Sequence, residues 1–125
     1  MMLLRLMIAV AEAATALYSR VLHQRGFTMA FVQIIEFRTS KLDEMEKVGD
    51  EWQAAIGADR KATRRVLCKD RDNAGRFFNV VFFDSYDHAM ANSNHPVTEE
   101  FSKKMMALAD GAPTFYNLDV LDDQS

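Results

Sequence analysis

The chain has 125 residues, enough for one domain of ordinary size. It is 49% hydrophobic and 26% charged, with 15 Lys plus Arg against 18 Asp plus Glu, which excludes a strongly basic nucleic-acid binder. A single cysteine, Cys68, excludes an intrachain disulfide scaffold, and with three histidines it leaves too few soft ligands for a structural zinc site.

Residues 1–28 differ from the rest. They carry Arg5, Arg20 and Arg25 against Glu12, a net +2, whereas the remainder of the chain is net −5. Met1 to Val10 is apolar and is followed by an Ala-rich run, but Glu12 interrupts it before the roughly 20 apolar residues that a membrane span needs. Arg5 is a thin basic lead for a secretory signal, although Ala11-Glu12-Ala13 has the small-x-small form of a cleavage site. The segment reads as an extension ahead of a domain spanning 29–125, either upstream of a true start at Met29 or as a short amphipathic helix packed on the domain. The segment also has the basic, acid-poor character of an organelle-targeting helix, though Ser19 is its only serine; a cytoplasmic protein is expected.

From Phe31 the elements are legible in order. Phe31 to Phe37 is β-branched and aromatic, which predicts a strand. Ser40 with Asp43 three residues on resembles a capping box, and Leu42, Met45, Val48, Trp52, Ala55 and Ile56 then form one helical stripe that stops at Gly57. Thr63 to Lys69 and Arg76 to Phe83 are strands joined through the turn residues Asp72-Asn73-Ala74-Gly75. Asp84 or Ser85 caps a short helix from Tyr86 to about Ala91, Asn92-Ser93-Asn94 breaks it, and Pro96 opens another helix that Gly111 and Pro113 end. Thr114 to Leu121 is the last strand. The order β-α-β-β-α-β is the ferredoxin-like α+β arrangement, with its second helix in two pieces.

The third strand, Phe77-Phe78-Asn79-Val80-Val81-Phe82-Phe83, is apolar on both faces, while helices on one side of a sheet leave the other side bare. A homodimer joined sheet to sheet covers that face, enclosing either a ligand cavity or a solid core. Gln33 and Asn79 are uncharged amides inside apolar strands, where an unpaired amide costs about 1–3 kcal/mol. Either they bond across the sheet or they face a wet or ligand-filled space. Parity puts them on one face with Phe31, Ile35, Phe37, Phe77, Val81 and Phe83. The expectation is that this face meets the dimer partner and that Val32, Ile34, Phe78, Val80 and Phe82 lie under the helices.

From Ala30 to Asp122 the chain resembles the dimeric α/β-barrel superfamily, and within it the antibiotic biosynthesis monooxygenase-like domains. The resemblance is carried by Val32-Gln33-Ile34-Ile35-Glu36-Phe37, by the passage Arg76 to Tyr86, and by Thr114-Phe115-Tyr116-Asn117-Leu118-Asp119-Val120. It implies a dimer with a small-molecule site, and a family that includes cofactor-independent oxygenases of aromatic polyketides and haem-degrading enzymes. The haem-degrading branch resembles this pattern with Asn in the first strand, Trp at the end of the third and a ligating His in the second helix. Here Gln33, Phe83 and Phe101 stand at those places, and Phe has no lone pair for iron. Neither haem, flavin nor metal is expected.

A cofactor-free oxygenase needs a base, donors for an oxyanion and a dry pocket. His95, before Pro96 at the break between helices, is the candidate base, since its ordinary pKa of about 6.5 suits proton transfer near neutrality; its alternative role is to cap the following helix. Gln33, Asn79, Phe83, Trp52, Asn94 and Tyr116 are the candidate cavity residues, with plain packing as the alternative for the aromatics and turn formation for Asn94. The basic run Arg60, Lys61, Arg64, Arg65, Lys69, Arg71 and Arg76 reads as a charged edge strand, or as a contact for an anionic ligand. A nucleic-acid partner and a membrane partner are not expected. The two functions left open are a small cofactor-free oxygenase and a non-catalytic, ligand-binding or accessory homodimer.

Overall fold

The computed structural model describes residues 29–124; the expectations for residues 1–28 lie outside them. Strand β1 (Phe31–Arg38) leads to helix α1 (Leu42–Ile56) and a short 3-10 turn (Gly57–Asp59). Strands β2 (Ala62–Lys69) and β3 (Arg76–Phe83) follow, then α2 (Tyr86–Ser93), α3 (Pro96–Leu108) and β4 (Thr114–Asp119). The sheet order is β2-β3-β1-β4 with every pair antiparallel, which is the ferredoxin-like topology. Each element expected from the sequence is present, with ends differing by one or two residues at most strands and helix termini. Among the described residues no helix is long and apolar enough to cross a membrane.

Local chemistry explains the boundaries, with two corrections. Ser40 does not cap α1. Thr39, 3% exposed, does the tying instead: its hydroxyl donates to the Leu108 carbonyl at 2.7 Å and accepts from the Lys41 N–H at 2.9 Å. One buried side chain thus pins the end of β1 to both long helices. The β2–β3 turn needs Gly75, whose φ of 82° is the left-handed region, and its carbonyl accepts from the Thr39 N–H at 3.0 Å. Ser85 caps α2 by accepting from His88 N–H, and Pro96 occupies the first turn of α3. Asn92, expected to break α2, lies inside it, where it is 8% exposed and its Oδ1 accepts from the Lys61 N–H.

The core is two clusters at opposite ends of one sheet face. Phe31 and Phe83 pack against Ala89 of α2, with Tyr86 edge-on to Phe31 at 5.4 Å between ring centres. Phe37 and Phe77, stacked at 5.6 Å, pack against Met45 of α1, with Met105 and Leu108 of α3 beside them. Trp52 Nε1 donates to Thr98 Oγ1 at 2.9 Å and joins α1 to α3. The helix-facing side is therefore the face of Phe31, Phe37, Phe77 and Phe83. This reverses the expected assignment: Val32, Ile34, Phe78, Val80 and Phe82 lie on the opposite side, which none of the described helices covers.

Candidate functional site

Register fixes what occupies the middle of each face. On the helix side, between the two aromatic clusters, one row across the sheet runs Arg65, Val81, Gln33, Asn117 and the next runs Leu67, Asn79, Ile35, Phe115. In the three strands β2, β3 and β1 all six of these side chains are only partly buried, in contrast to Phe31, Phe37, Phe77 and Phe83 at the ends. The helices seal the ends of the face and leave its centre half-open, a floor of amides and one guanidinium set among aliphatic groups.

Each amide is engaged within the sheet rather than with a helix. Arg65 Nε donates to Asn79 Oδ1 at 2.8 Å, and Gln33 Nε2 donates to Asn117 Oδ1 at 3.1 Å. These bonds set the direction of what remains. With both asparagine oxygens accepting, the Nδ2 groups of Asn79 and Asn117 are the donors left over, and Gln33 Oε1 is the acceptor left over. The expectation that Gln33 and Asn79 share a face holds; the expectation that this face turns toward a dimer partner does not, because it is the one beneath the helices.

The other candidates are dispersed. Phe83 is 3% exposed in the Phe31 cluster and is core. Trp52 is held between helices by Thr98, and Asn94 is the exposed C-terminal cap of α2. Tyr116 is on the opposite face, where its hydroxyl donates to Glu36 Oε2 at 2.9 Å. His95 takes the cap position of α3: Nδ1 accepts from the Val97 N–H at 3.1 Å and Nε2 lies 3.1 Å from Asp59 Oδ2. An imidazole that accepts at Nδ1 carries its proton at Nε2 and has no lone pair left for a substrate proton. The capping alternative thus describes His95. Phe101 is partly buried with the Lys104 ammonium 4.4 Å from its ring centre, so it offers no ligand to an iron. Arg65 and Asn117 escaped sequence reasoning, Arg65 because it was merged into a basic run, although its alternation with Val66 and Leu67 assigns it a face.

The bare face is different in character. Its rows are Arg64, Phe82, Val32, Leu118 and then Val66, Val80, Ile34, Tyr116, with Cys68, Phe78, Glu36 and Thr114 beyond. Arg64 and Arg76 lie over the Phe82 and Phe78 rings at 5.4 and 4.8 Å. Arg76 also bridges Glu36 at 2.7 Å and Asp70 at 3.0 Å. The Arg76 guanidinium and then the Tyr116 hydroxyl hold the Glu36 carboxyl below the usual carboxylate range. Reciprocally, the Glu36 carboxylate raises the Tyr116 phenol, because ionising it loses the O–H donor and adds a second negative charge beside the first. The expected result is that Tyr116 titrates above the ordinary value of about 10 and returns toward it in Glu36→Gln. Ultraviolet titration of the phenolate checks this; an unchanged curve in the variant contradicts the contact.

An open depression of about 520 Å³ lies at the β2–β3 turn, lined by residues such as Thr39, Lys69, Phe77 and Asp110. It touches none of the central amides. Among the described residues no group of three His, Cys, Asp or Glu is placed to hold a metal ion.

No family model and no curated protein matches the sequence. Solved structures do match. A candidate antibiotic biosynthesis monooxygenase from Caulobacter crescentus is similar with a TM-score of 0.66 at 18% identity, over 77% of this chain and 93% of that one. SnoaB, a cofactor-independent oxygenase from Streptomyces nogalater, gives 0.65 at 14% identity over 77% and 97%. Rv0793 from Mycobacterium tuberculosis gives 0.63 at 14% identity over 77% and 99%. The fold is that of the antibiotic biosynthesis monooxygenase-like proteins. At these identities the likeness is one of fold alone.

Proposed function

We propose that this chain is a homodimeric, cofactor-independent oxygenase that takes a small aromatic molecule into the groove between the centre of its sheet and its helices. The observation that carries the reading is the half-open floor of Gln33, Asn79 and Asn117 among Ile35, Val81 and Leu67, apolar with a few oriented polar groups, on a fold shared with a cofactor-independent oxygenase. A suitable substrate is an anthrone-type ring ketone with an acidic methylene. The methylene proton leaves to solvent, the enolate passes electrons to O₂, the peroxide anion formed on carbon takes a proton back from solvent, and the hydroperoxide loses water so that the methylene becomes a carbonyl. The protein's part in this reading is to hold the enolate oxygen through the Nδ2 donor of Asn79 and to surround the ring with aliphatic walls.

The bare apolar face meets its copy in this reading, since partly buried Val32, Ile34, Phe78, Val80 and Phe82 beside exposed Tyr116 and Leu118 make one contiguous apolar patch. Residues 29–125 carry the function, in a cytoplasmic setting that suits the lone exposed thiol of Cys68. Oxygen uptake with anthrone and dithranol tests the activity. The expected result is an enzyme-dependent rate that falls by about 100-fold in Asn79→Ala, the usual cost of one oxyanion donor. Because both ring nitrogens of His95 are engaged, the non-catalytic ligand-binding dimer is the second reading. Binding of these compounds without oxygen uptake selects it.

A further inference from the structure

We propose that Arg65 makes this groove selective for ligands that carry a full negative charge on oxygen beside an apolar ring system, a carboxylate before a neutral phenol or amide; the proposal rests on the groove being the ligand site. The basic residues around the hairpin are divided by the pleat. Arg64 lies over Phe82 on the bare face, and Arg76 is committed to Glu36 and Asp70 there. Arg65 stands on the helix side, in the row of Val81 and Gln33.

Its bonding is incomplete in a directed way. Of the five N–H donors of an arginine, the bonds among the described residues use the one on Nε, given to Asn79 Oδ1 at 2.8 Å. Among the described residues no carboxylate pairs with Arg65, whereas Arg76 has two. The strand positions that share its face on β2, β3 and β1 are all without an acid; Asp119, on β4 in the Phe31 row, is three strands away, about 14 Å. The bond at Nε has a second effect: it occupies the asparagine oxygen, so Asn79 presents its Nδ2 donor. A planar fork with both terminal nitrogens unused, next to a second donor and partly withdrawn from water, is matched by an oxyanion. The aliphatic neighbours Val81, Leu67 and Ile35 suit the ring that bears it.

The test uses two probes of one shape, 2-naphthoate and 2-naphthamide, titrated into the full chain by calorimetry. The expected result is naphthoate binding about tenfold or more tighter than naphthamide. In Arg65→Gln the ratio of the two affinities falls to near one, chiefly through loss of naphthoate binding, and Arg65→Lys, which keeps the charge but loses the fork, keeps part of the preference. Equal binding by the native chain overturns the selectivity and leaves the groove standing. A preference that survives in Arg65→Gln but is lost in Lys69→Gln assigns it to the wrong cation and overturns the role of Arg65. Failure of both probes to bind at millimolar concentration, with each variant folded by circular dichroism, overturns the groove and the selectivity together.

Discussion

If the native chain is the proposed sheet-to-sheet dimer, a Val80→Lys variant is expected to run as a monomer at the concentrations where that dimer persists. Val80 lies at the centre of the bare face, hydrogen-bonded strands on both sides of it and Ile34 and Val66 as its cross-strand neighbours. In a two-fold interface each copy brings one such lysine, so two ammonium groups leave water without partners. A total penalty of only about 4 kcal/mol weakens association roughly a thousandfold. In the separated chain the same lysine extends into solvent, so the fold survives. Sedimentation of both proteins, with circular dichroism as the control for folding, reads the outcome; a native chain that is monomeric at micromolar concentration contradicts the interface directly.

The largest loss of stability is expected from Phe83→Ala. Phe83 is 3% exposed, 6.4 Å from the Phe31 ring between centres, and packed on Ala89, which is fully buried. Truncation removes the ring and leaves a void that the sheet cannot close, because Phe31 opposite is fixed by its own strand pairings to Asp119 and Phe83. The usual cost of such a change is about 3–5 kcal/mol, a large part of the roughly 5–15 kcal/mol that holds a domain folded. Urea denaturation measures it. A loss below about 1 kcal/mol contradicts the placement of Phe83 in the core.

The order of elements was legible because each carries its own local signal: β-branched runs for the strands, a three-and-four spacing for α1, Ser85 and Pro96 at the helix starts. The assignment of faces was harder to read, since β3 is apolar on both sides and alternation alone does not say which side the helices cover. Gln33 and Asn79, expected in a wetter layer away from the helices, lie on the helix side instead, at its centre, where both stay only partly buried. The helices cover only the two ends of their face, so the wetter layer is its centre. A sharper signal was available in the four phenylalanines at positions 31, 37, 77 and 83, which share one parity and mark both ends of both central strands. His95 shows the opposite lesson: a residue before proline at a helix start is a cap first, and its chemistry is consumed there.

Ile34 and Ile35 are adjacent in sequence and point to opposite faces, Ile35 beside Asn79 under the helices and Ile34 beside Val80 on the bare side. Their methyl resonances therefore separate the two places where a ligand can sit. Titration of the full chain with dithranol under nitrogen, followed by methyl NMR, is expected to shift the Ile35 signals together with the side-chain amide of Asn79 and to leave the Ile34 methyls in place. Shifts confined to Ile34 and Val80 would place the ligand between the sheets of the dimer and contradict the groove.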